Sequence, residues 1–371
     1  MLTSKLEHCL PYMHSREILA LVTMLITAVI TAVISIPVRS IGLKLGFVDQ
    51  PNKRKQHQFK LVRIGGLAMI AAYLTLAIFI IFTNNFTLVN SNQSILIASL
   101  IGSVGFFLIG FADDIFSISP WSRLTFQTVI ATYAWSNGIK FQILDVPFFN
   151  KFFSSFFTSD ILSLFITVFW LVAVTNAINW IDGMDGLASG ISGMVLIGLG
   201  SIAISNNNLG VALLAFATTG SCLGFLVHNS YPARILMGDG GSYFLGFNLA
   251  SLSLLVSIDS SNLIILRDLN FLLPLVFLAL PMADMTIVIL LRLLRGTSPF
   301  YPDRNHFHHR LLDSGYKYYH TLLILFTITF VIILLSSFLS SLLSLFTLLL
   351  LIGLYVYILA FPLLKVRLNI F

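Results

Sequence analysis

Charge is what this chain has least of. Asp, Glu, Lys and Arg make up 10% of its 371 residues, where a soluble domain carries roughly 25%. So few charges cannot cover the surface of a water-soluble protein of this length, and lipid must be the solvent for much of it. Cysteine is scarce too. Cys9 lies in a polar segment and Cys222 in an apolar run, which excludes a disulfide scaffold and a cysteine-built metal cage. No charged stretch followed by a short apolar run and a small-residue cleavage site opens the chain, so no removable signal peptide is expected. There is no repeat with a period of about 20–50 residues and no low-complexity tract beyond the Leu/Ser-rich run at 334–350.

What the chain has instead is apolar length. Hydrophobic residues are 57% of it, with 33 Phe. Eleven apolar runs succeed one another: Ile18–Val38, Ile64–Thr83, Ile95–Ala112, Leu124–Trp135, Ile161–Ala177, Leu187–Ile204, Leu209–Val227, Tyr243–Val256, Phe271–Leu294, Leu322–Phe338 and Leu343–Pro362. The expected fold is an all-α polytopic membrane protein of about 11 transmembrane helices, one integral-membrane domain over residues 1–371. Several runs fall short of the ~20 residues of a full span, so their helices must extend into flanking residues or tilt little. The fourth is the weakest, and Gln127 and Thr128 within it point to a protein-lined environment.

Eleven spans put the termini on opposite faces. One face then carries the loops 39–63, 113–123, 179–186, 228–240 and 295–320 and the C-terminal tail. It holds 16 of the 21 Lys and Arg, and the other face, with the N-terminus, holds 5. That bias makes the first face cytoplasmic, with the N-terminus outside. It also accounts for the net charge of +6 without any nucleic-acid partner. His57, His228, His306, His308 and His309 fall on this face, as do nearly all Asp residues that adjoin Gly or another Asp.

The chemistry gathers there. Asp113 and Asp114 end the third run in GFADD. They make either a polar helix end in water or a site concentrating negative charge for Mg2+ or proton transfer. Gly110 before them permits close approach of another helix. NAINWIDGMDGLASG brings Asn176, Asn179, Asp182 and Asp185, and its glycines argue for a helix broken beside water or ligand. GDGGS puts Asp239 at the start of the eighth span, where helix amides suit phosphate. RGTSPFYPDRNHFHHR offers Arg295, Arg304 and Arg310 as phosphate clamps and His306, His308 and His309 as hydrogen-bond donors or proton shuttles. A zinc cage is disfavoured, because hard Asp oxygens dominate the face and favour Mg2+ or Mn2+. Lys53, Arg54, Lys55, His57, Lys60 and Arg63 make the first loop basic, which suits lipid headgroups or a polyphosphate. Asp284, inside the ninth span after Pro281, is a site candidate by its depth, with Arg292 and Arg295 near enough to offset it.

Taken in order, DQPNKRKQH, RIGG, GFADD, NAINWIDGMDGLASG, GDGGS and PDRNHFHHR resemble the motifs of the polyprenyl-phosphate N-acetylhexosamine-1-phosphate transferases of glycosyltransferase family 4. The resemblance runs from Asp49 to about Tyr316, and the HxHHR form preceded by PDR resembles the undecaprenyl-phosphate GlcNAc-1-phosphate branch. That branch starts O-antigen, enterobacterial common antigen or teichoic acid linkage synthesis; a related one makes lipid I from UDP-MurNAc-pentapeptide. Val62 departs from the Pro that many members carry there.

The resemblance implies transfer of GlcNAc-1-phosphate from UDP-GlcNAc to undecaprenyl phosphate with release of UMP, Mg2+ as cofactor with Mn2+ as its substitute, a bacterial plasma-membrane location, and a family in which homodimers occur. It implies catalytic roles for Asp113, Asp114, Asp239, His308 and His309, with Asp239 and Asp114 on the metal. It implies substrate contacts from Lys53, Arg54, His57, Arg63, Arg123, Asn179, Asp182, Asp185, Arg304, His306 and Arg310. The same reaction with another UDP-HexNAc or with UDP-MurNAc-pentapeptide, or a cation-coupled transporter using the intramembrane carboxylates, are the competing readings.

Overall fold

Runs this apolar must close their own backbone hydrogen bonds, and they do so as helices. The computed structural model describes residues 2–49, 61–82, 93–141, 160–258, 276–301 and 303–338. In chain order the elements are α1 (Leu2–Leu45), strands β1 (Val48–Asp49) and β2 (Leu61–Val62), α2 (Gly66–Phe82), α3 (Gln93–Phe116), α4 (Pro120–Ser136), α5 (Asp160–Ile181), α6 (Leu187–Ser205), α7 (Leu209–Asn229), α8 (Gly238–Ile258), α9 (Ala279–Leu294), α10 (Phe307–Asp313) and α11 (Tyr318–Phe338).

Among the described residues six helices combine the length and hydropathy of a membrane span: α1 from Ser15, α3, α5, α6, α7 and α11 up to Leu335. The protein is an all-helical polytopic membrane protein. The other expected runs at α2, α4, α8 and α9 are helical but shorter or more polar, and the run at 343–362 lies outside the described residues.

Helix α8 shows why apolarity and spanning diverge. Every residue from Gly241 to Val256 is buried, because α2, α3, α5 and α6 pack around it. A helix sheathed by other helices meets no lipid and can carry polar groups that its neighbours satisfy. Ser103 Oγ donates to Asn248 Oδ1 at 3.2 Å, and Trp170 Nε1 donates to Ser253 Oγ at 3.2 Å. The weak fourth run has a related cause. Gln127 is buried and accepts from Asn176 Nδ2 at 2.9 Å, as expected, whereas Thr128 is exposed, contrary to the expectation for it. Pro281 does not open a helix. It falls in the first turn of α9, where its missing N–H costs nothing.

The short strands were not foreseen. They pair antiparallel, Val48 with Val62 and Asp49 with Leu61, and Val62 bridges to Ile235. Leu236 N–H donates to Val62 O at 2.8 Å, and Gly65 and Gly66 N–H donate to Leu236 O and Met237 O, each at 2.9 Å. These bonds stitch the first loop to the start of α8.

Candidate active site

Helix α8 begins where α3 ends, and the acidic residues of both meet there. Asp114 accepts from the backbone N–H of Asp239 through Oδ1 and of Gly240 through Oδ2, each at 3.0 Å. It satisfies two of the amides that a helix start leaves open and complements the positive end of the dipole. Gly238 makes the turn, with φ +69°, and a Cβ there would come 2.9 Å from the Asp114 carboxyl carbon. Gly110 allows the approach, since a Cβ on it would lie 2.7 Å from Gly240 N.

That arrangement aims the Asp239 carboxylate outward into a cleft. Asn179 Nδ2 donates to its Oδ1 at 2.8 Å and to Ser242 Oγ at 2.9 Å. Arg63 Nη2 stands 3.4 Å from Asp239 Oδ2 and 3.2 Å from Asp114 Oδ1, its backbone fixed by the bond from its N–H to Phe47 O at 3.1 Å. The cleft, about 310 Å³, is lined by Asp49, Arg63, Asn179, Asp182, Asp239 and His309 among others.

Helix α5 ends at Ile181 and α6 starts at Leu187, so the expected break at the DGMDG segment is present. Asp182 lines the cleft there. Burial first, and then the charges of Asp239, Asp114 and Asp185, push its carboxyl up to about 8. Asp185 also lines the cleft, and its Oδ2 accepts from Ala233 N–H at 2.9 Å, while its N–H donates to the Tyr318 hydroxyl. It ties the 230s loop to α11 at the cleft wall.

Neighbouring residues on a helix point about 100° apart, so Asp113 has other company. Arg123 of α4 donates to its Oδ2 at 2.5 Å.

The histidine segment folds back onto α9. Asp284, 3% exposed, accepts from His306 Nδ1 at 2.7 Å and Phe307 N–H at 2.8 Å. Arg292 does not offset Asp284 as expected. It binds Asp303 bidentately at 3.0 and 3.1 Å and lies over the Trp180 ring at 4.8 Å. Burial works against the Asp303 carboxylate, but bonds from Arg292 and Asn305 hold it down at about 2. Arg295 is exposed. Arg304 pairs with Asp313 at the surface at 2.9 Å. Neither Arg304 nor half-buried Arg310 is among the cleft-lining residues.

His309 lines the cleft, and His308 packs on Gly183 with both ring nitrogens buried and, among the described residues, without a hydrogen-bond partner. Burial, followed by the neighbouring His309, His306 and Arg304, keeps His308 well below the usual imidazole range. His309 is lowered by burial, Arg304 and His306. Both rings are neutral near pH 7.

The structure thus brings Arg63, Asn179, Asp182, Asp185, Asp239 and His309 into one cleft, with Asp113, Asp114 and Arg123 behind or beside it. Lys53, Arg54 and His57 lie outside the described residues. Asp49, Asn229 and Tyr318 line the cleft and were missed. Asp49 opens the polar DQPN run and had a signal; Tyr318, in a run of aromatics, had none.

The donor set suits a hard cation in part. Among the described residues no three His, Cys, Asp or Glu side chains converge as a cage. Asp239 and Asp182 line the cleft with their carboxyl groups, and Asp182 would have to give up its proton to hold a cation. Asp114, also expected on the metal, accepts from α8 amides with both oxygens.

Membrane helices thus surround a cleft that carries Asp182, Asp185, Asp239 and Arg63. The family model described as "Glycosyl transferase family 4" matches residues 95–257. A Bacillus subtilis relative, "Probable undecaprenyl-phosphate N-acetylglucosaminyl 1-phosphate transferase", is 33% identical over 79% of this chain and 77% of its own length. "Decaprenyl-phosphate N-acetylglucosaminephosphotransferase" of Mycobacterium tuberculosis is 30% identical over 78% and 75%. "Undecaprenyl-phosphate alpha-N-acetylglucosaminyl 1-phosphate transferase" of Escherichia coli is 28% identical over 75% and 72%. The chain belongs to glycosyl transferase family 4.

Proposed function

We propose that this protein transfers GlcNAc-1-phosphate from UDP-GlcNAc to undecaprenyl phosphate, giving undecaprenyl-diphospho-GlcNAc and UMP, at the cytoplasmic face of a bacterial plasma membrane. The observation that carries the reading is the cleft at the start of α8, where Asp239 and Asp182 stand beside Arg63. Names of the relatives supply the sugar and the lipid; the Lys and Arg bias supplies the cytoplasmic side.

Joining a phosphate monoester to a pyrophosphate brings anions together. Arg63 offsets that repulsion from the cleft wall, and Asn179 holds Asp239 in register through its amide. Mg2+, or Mn2+ in its place, would be held by Asp239 and Asp182 and would stabilise charge on the departing UMP. An ionised lipid phosphate is nucleophile enough for direct attack, and Asp113, steadied by Arg123, is the base assigned to it. Neutral His309 has one N–H to give to a sugar or phosphate oxygen.

The test is UMP release by the purified protein with undecaprenyl phosphate, Mg2+ and either UDP-GlcNAc or UDP-MurNAc-pentapeptide. Release with UDP-GlcNAc alone is expected. Release with the pentapeptide donor alone would transfer the protein to the lipid I branch, and release with neither would end the GlcNAc reading.

A second expectation concerns the contact between the DGMDG segment and the histidines. A Cβ on Gly183 would lie 2.7 Å from His308 Cε1, too close for His308 to keep its place. Gly183→Ala is expected to lower kcat by about tenfold through that displacement. Wild-type kcat in this variant would show that the ring's position does not matter.

A further inference from the structure

Asp284 is not among the residues that line the cleft, yet it is a buried carboxylate on a helix whose neighbours in sequence are apolar. Burying a carboxylate is costly unless specific partners offset the loss of water. Its partners are 22 and 23 residues away in sequence, His306 Nδ1 at 2.7 Å and Phe307 N–H at 2.8 Å. His306 is the N-cap residue of α10 and makes no side-chain cap of its own. Asp284 supplies that cap from α9, so one carboxylate fixes both the His306 ring and the backbone at which α10 begins.

The first turn of α10 carries the two histidines nearest the cleft. His308 comes one residue after Phe307, and its ring lies parallel to His306 at 5.8 Å, interplanar angle 10°. It meets Gly183 on its other side. His309 adjoins it at 4.3 Å and faces the cleft. Among the described residues His308 has no hydrogen bond of its own to hold it. Its position is therefore inherited from the start of α10, and that start hangs on Asp284. Arg292 binds Pro299 O and Asp303, and Asp303 in turn accepts from Asn305 N–H and Nδ2, so that anchor stops one residue short of His306, where the bonds to Asp284 begin.

We propose that Asp284 is a positioning residue that holds His308 and His309 against the broken α5–α6 segment and the cleft by anchoring His306 and the first turn of α10. It rests on the transferase reading only for its effect on rate. The geometric part stands without it.

The experiment compares wild type, Asp284→Asn and Asp284→Ala as purified full-length protein in detergent, with two readouts. The first is carbethoxylation by diethyl pyrocarbonate, localised by mass spectrometry, as the ratio of modification at His308 to that at exposed His320. The second is kcat and KM for UDP-GlcNAc per folded protein. In Asp284→Ala the ratio is expected to rise about tenfold and kcat to fall between about tenfold and 100-fold, the loss typical of a misplaced catalytic group, with KM within about threefold. Asp284→Asn keeps an acceptor for Phe307 N–H and is expected to fall between the two in both readouts. Should the Ala variant fail to fold, the Asn variant decides alone. An unchanged His308 ratio, or a kcat per folded protein equal to wild type, overturns the proposal. If wild type does not turn over UDP-GlcNAc, the function reading fails, and the modification ratio still decides the position of His308.

Discussion

Asp239→Asn is expected to cut UMP release at least about 1000-fold while leaving the protein folded. The two halves of that expectation come from different atoms. Oδ1 of Asp239 accepts from Asn179 Nδ2 at 2.8 Å, and an amide oxygen can do the same, so the side chain stays in place. Oδ2 faces Arg63 at 3.4 Å and the cleft. An amide nitrogen there presents hydrogens to Arg63 and carries no charge for a hard cation. A preorganised charge in a site of this kind is worth about 100- to 1000-fold by itself, and losing the cation with it takes the effect to the upper end or beyond. Activity and the thermal unfolding midpoint should be measured on the same preparation, together with Mn2+ binding as a probe of the cation site. A variant with wild-type stability, no activity and no bound Mn2+ is the expected result. Activity within about tenfold of wild type would remove Asp239 from the centre of the site and leave Asp182 as the residue to pursue.

Much of this site is legible in local sequence. Adjacent Asp residues at a helix end, an Asp/Gly break and a Gly-rich helix start are local features, and each sits where its local chemistry placed it. What local sequence does not carry is pairing between distant segments. Asp284 and Arg292 are eight residues apart on one helix and look like natural partners, yet each binds the folded-back 299–307 segment instead. Nothing in local spacing distinguishes an ion pair along a helix from two separate anchors of a loop. Helix α8 was readable as an apolar run but not as the sheathed centre of the bundle, because burial among helices and burial in lipid leave similar composition. Local sequence alone does not tell Asp113 from Asp114; only the family resemblance put Asp114, and not Asp113, on the metal. Their roles separate only because α8 lies against one side of α3 and α4 against the other.

That separation makes Asp114 the residue whose loss should cost most in stability while costing activity too. Its side chain is 2% exposed, and its two oxygens take the N–H groups of Asp239 and Gly240. Asp114→Ala leaves both amides without a partner in a space too small to refill with side chain. An orphaned buried donor costs about 1–3 kcal/mol, so a loss of about 3 kcal/mol is expected for the pair, offset in part by relief of repulsion with Asp239 and by the partial exposure of Arg63. Asp114→Asn keeps an oxygen for one amide and turns an NH2 toward the other, so its loss should be smaller but distinct from zero. Activity should fall in both, on the order of 100-fold or more, because the bond from the N–H of Asp239 helps fix where its carboxylate points, together with Asn179 and Arg63. The order of unfolding midpoints, wild type above Asn above Ala, tests the cap directly. Asp113→Ala is the control: it removes the partner of Arg123 but no amide of α8, and its midpoint should stay nearer wild type. An Asp113 variant that unfolds as early as Asp114→Ala would show that the ion pair with Arg123, rather than the cap on α8, holds this end of the bundle together.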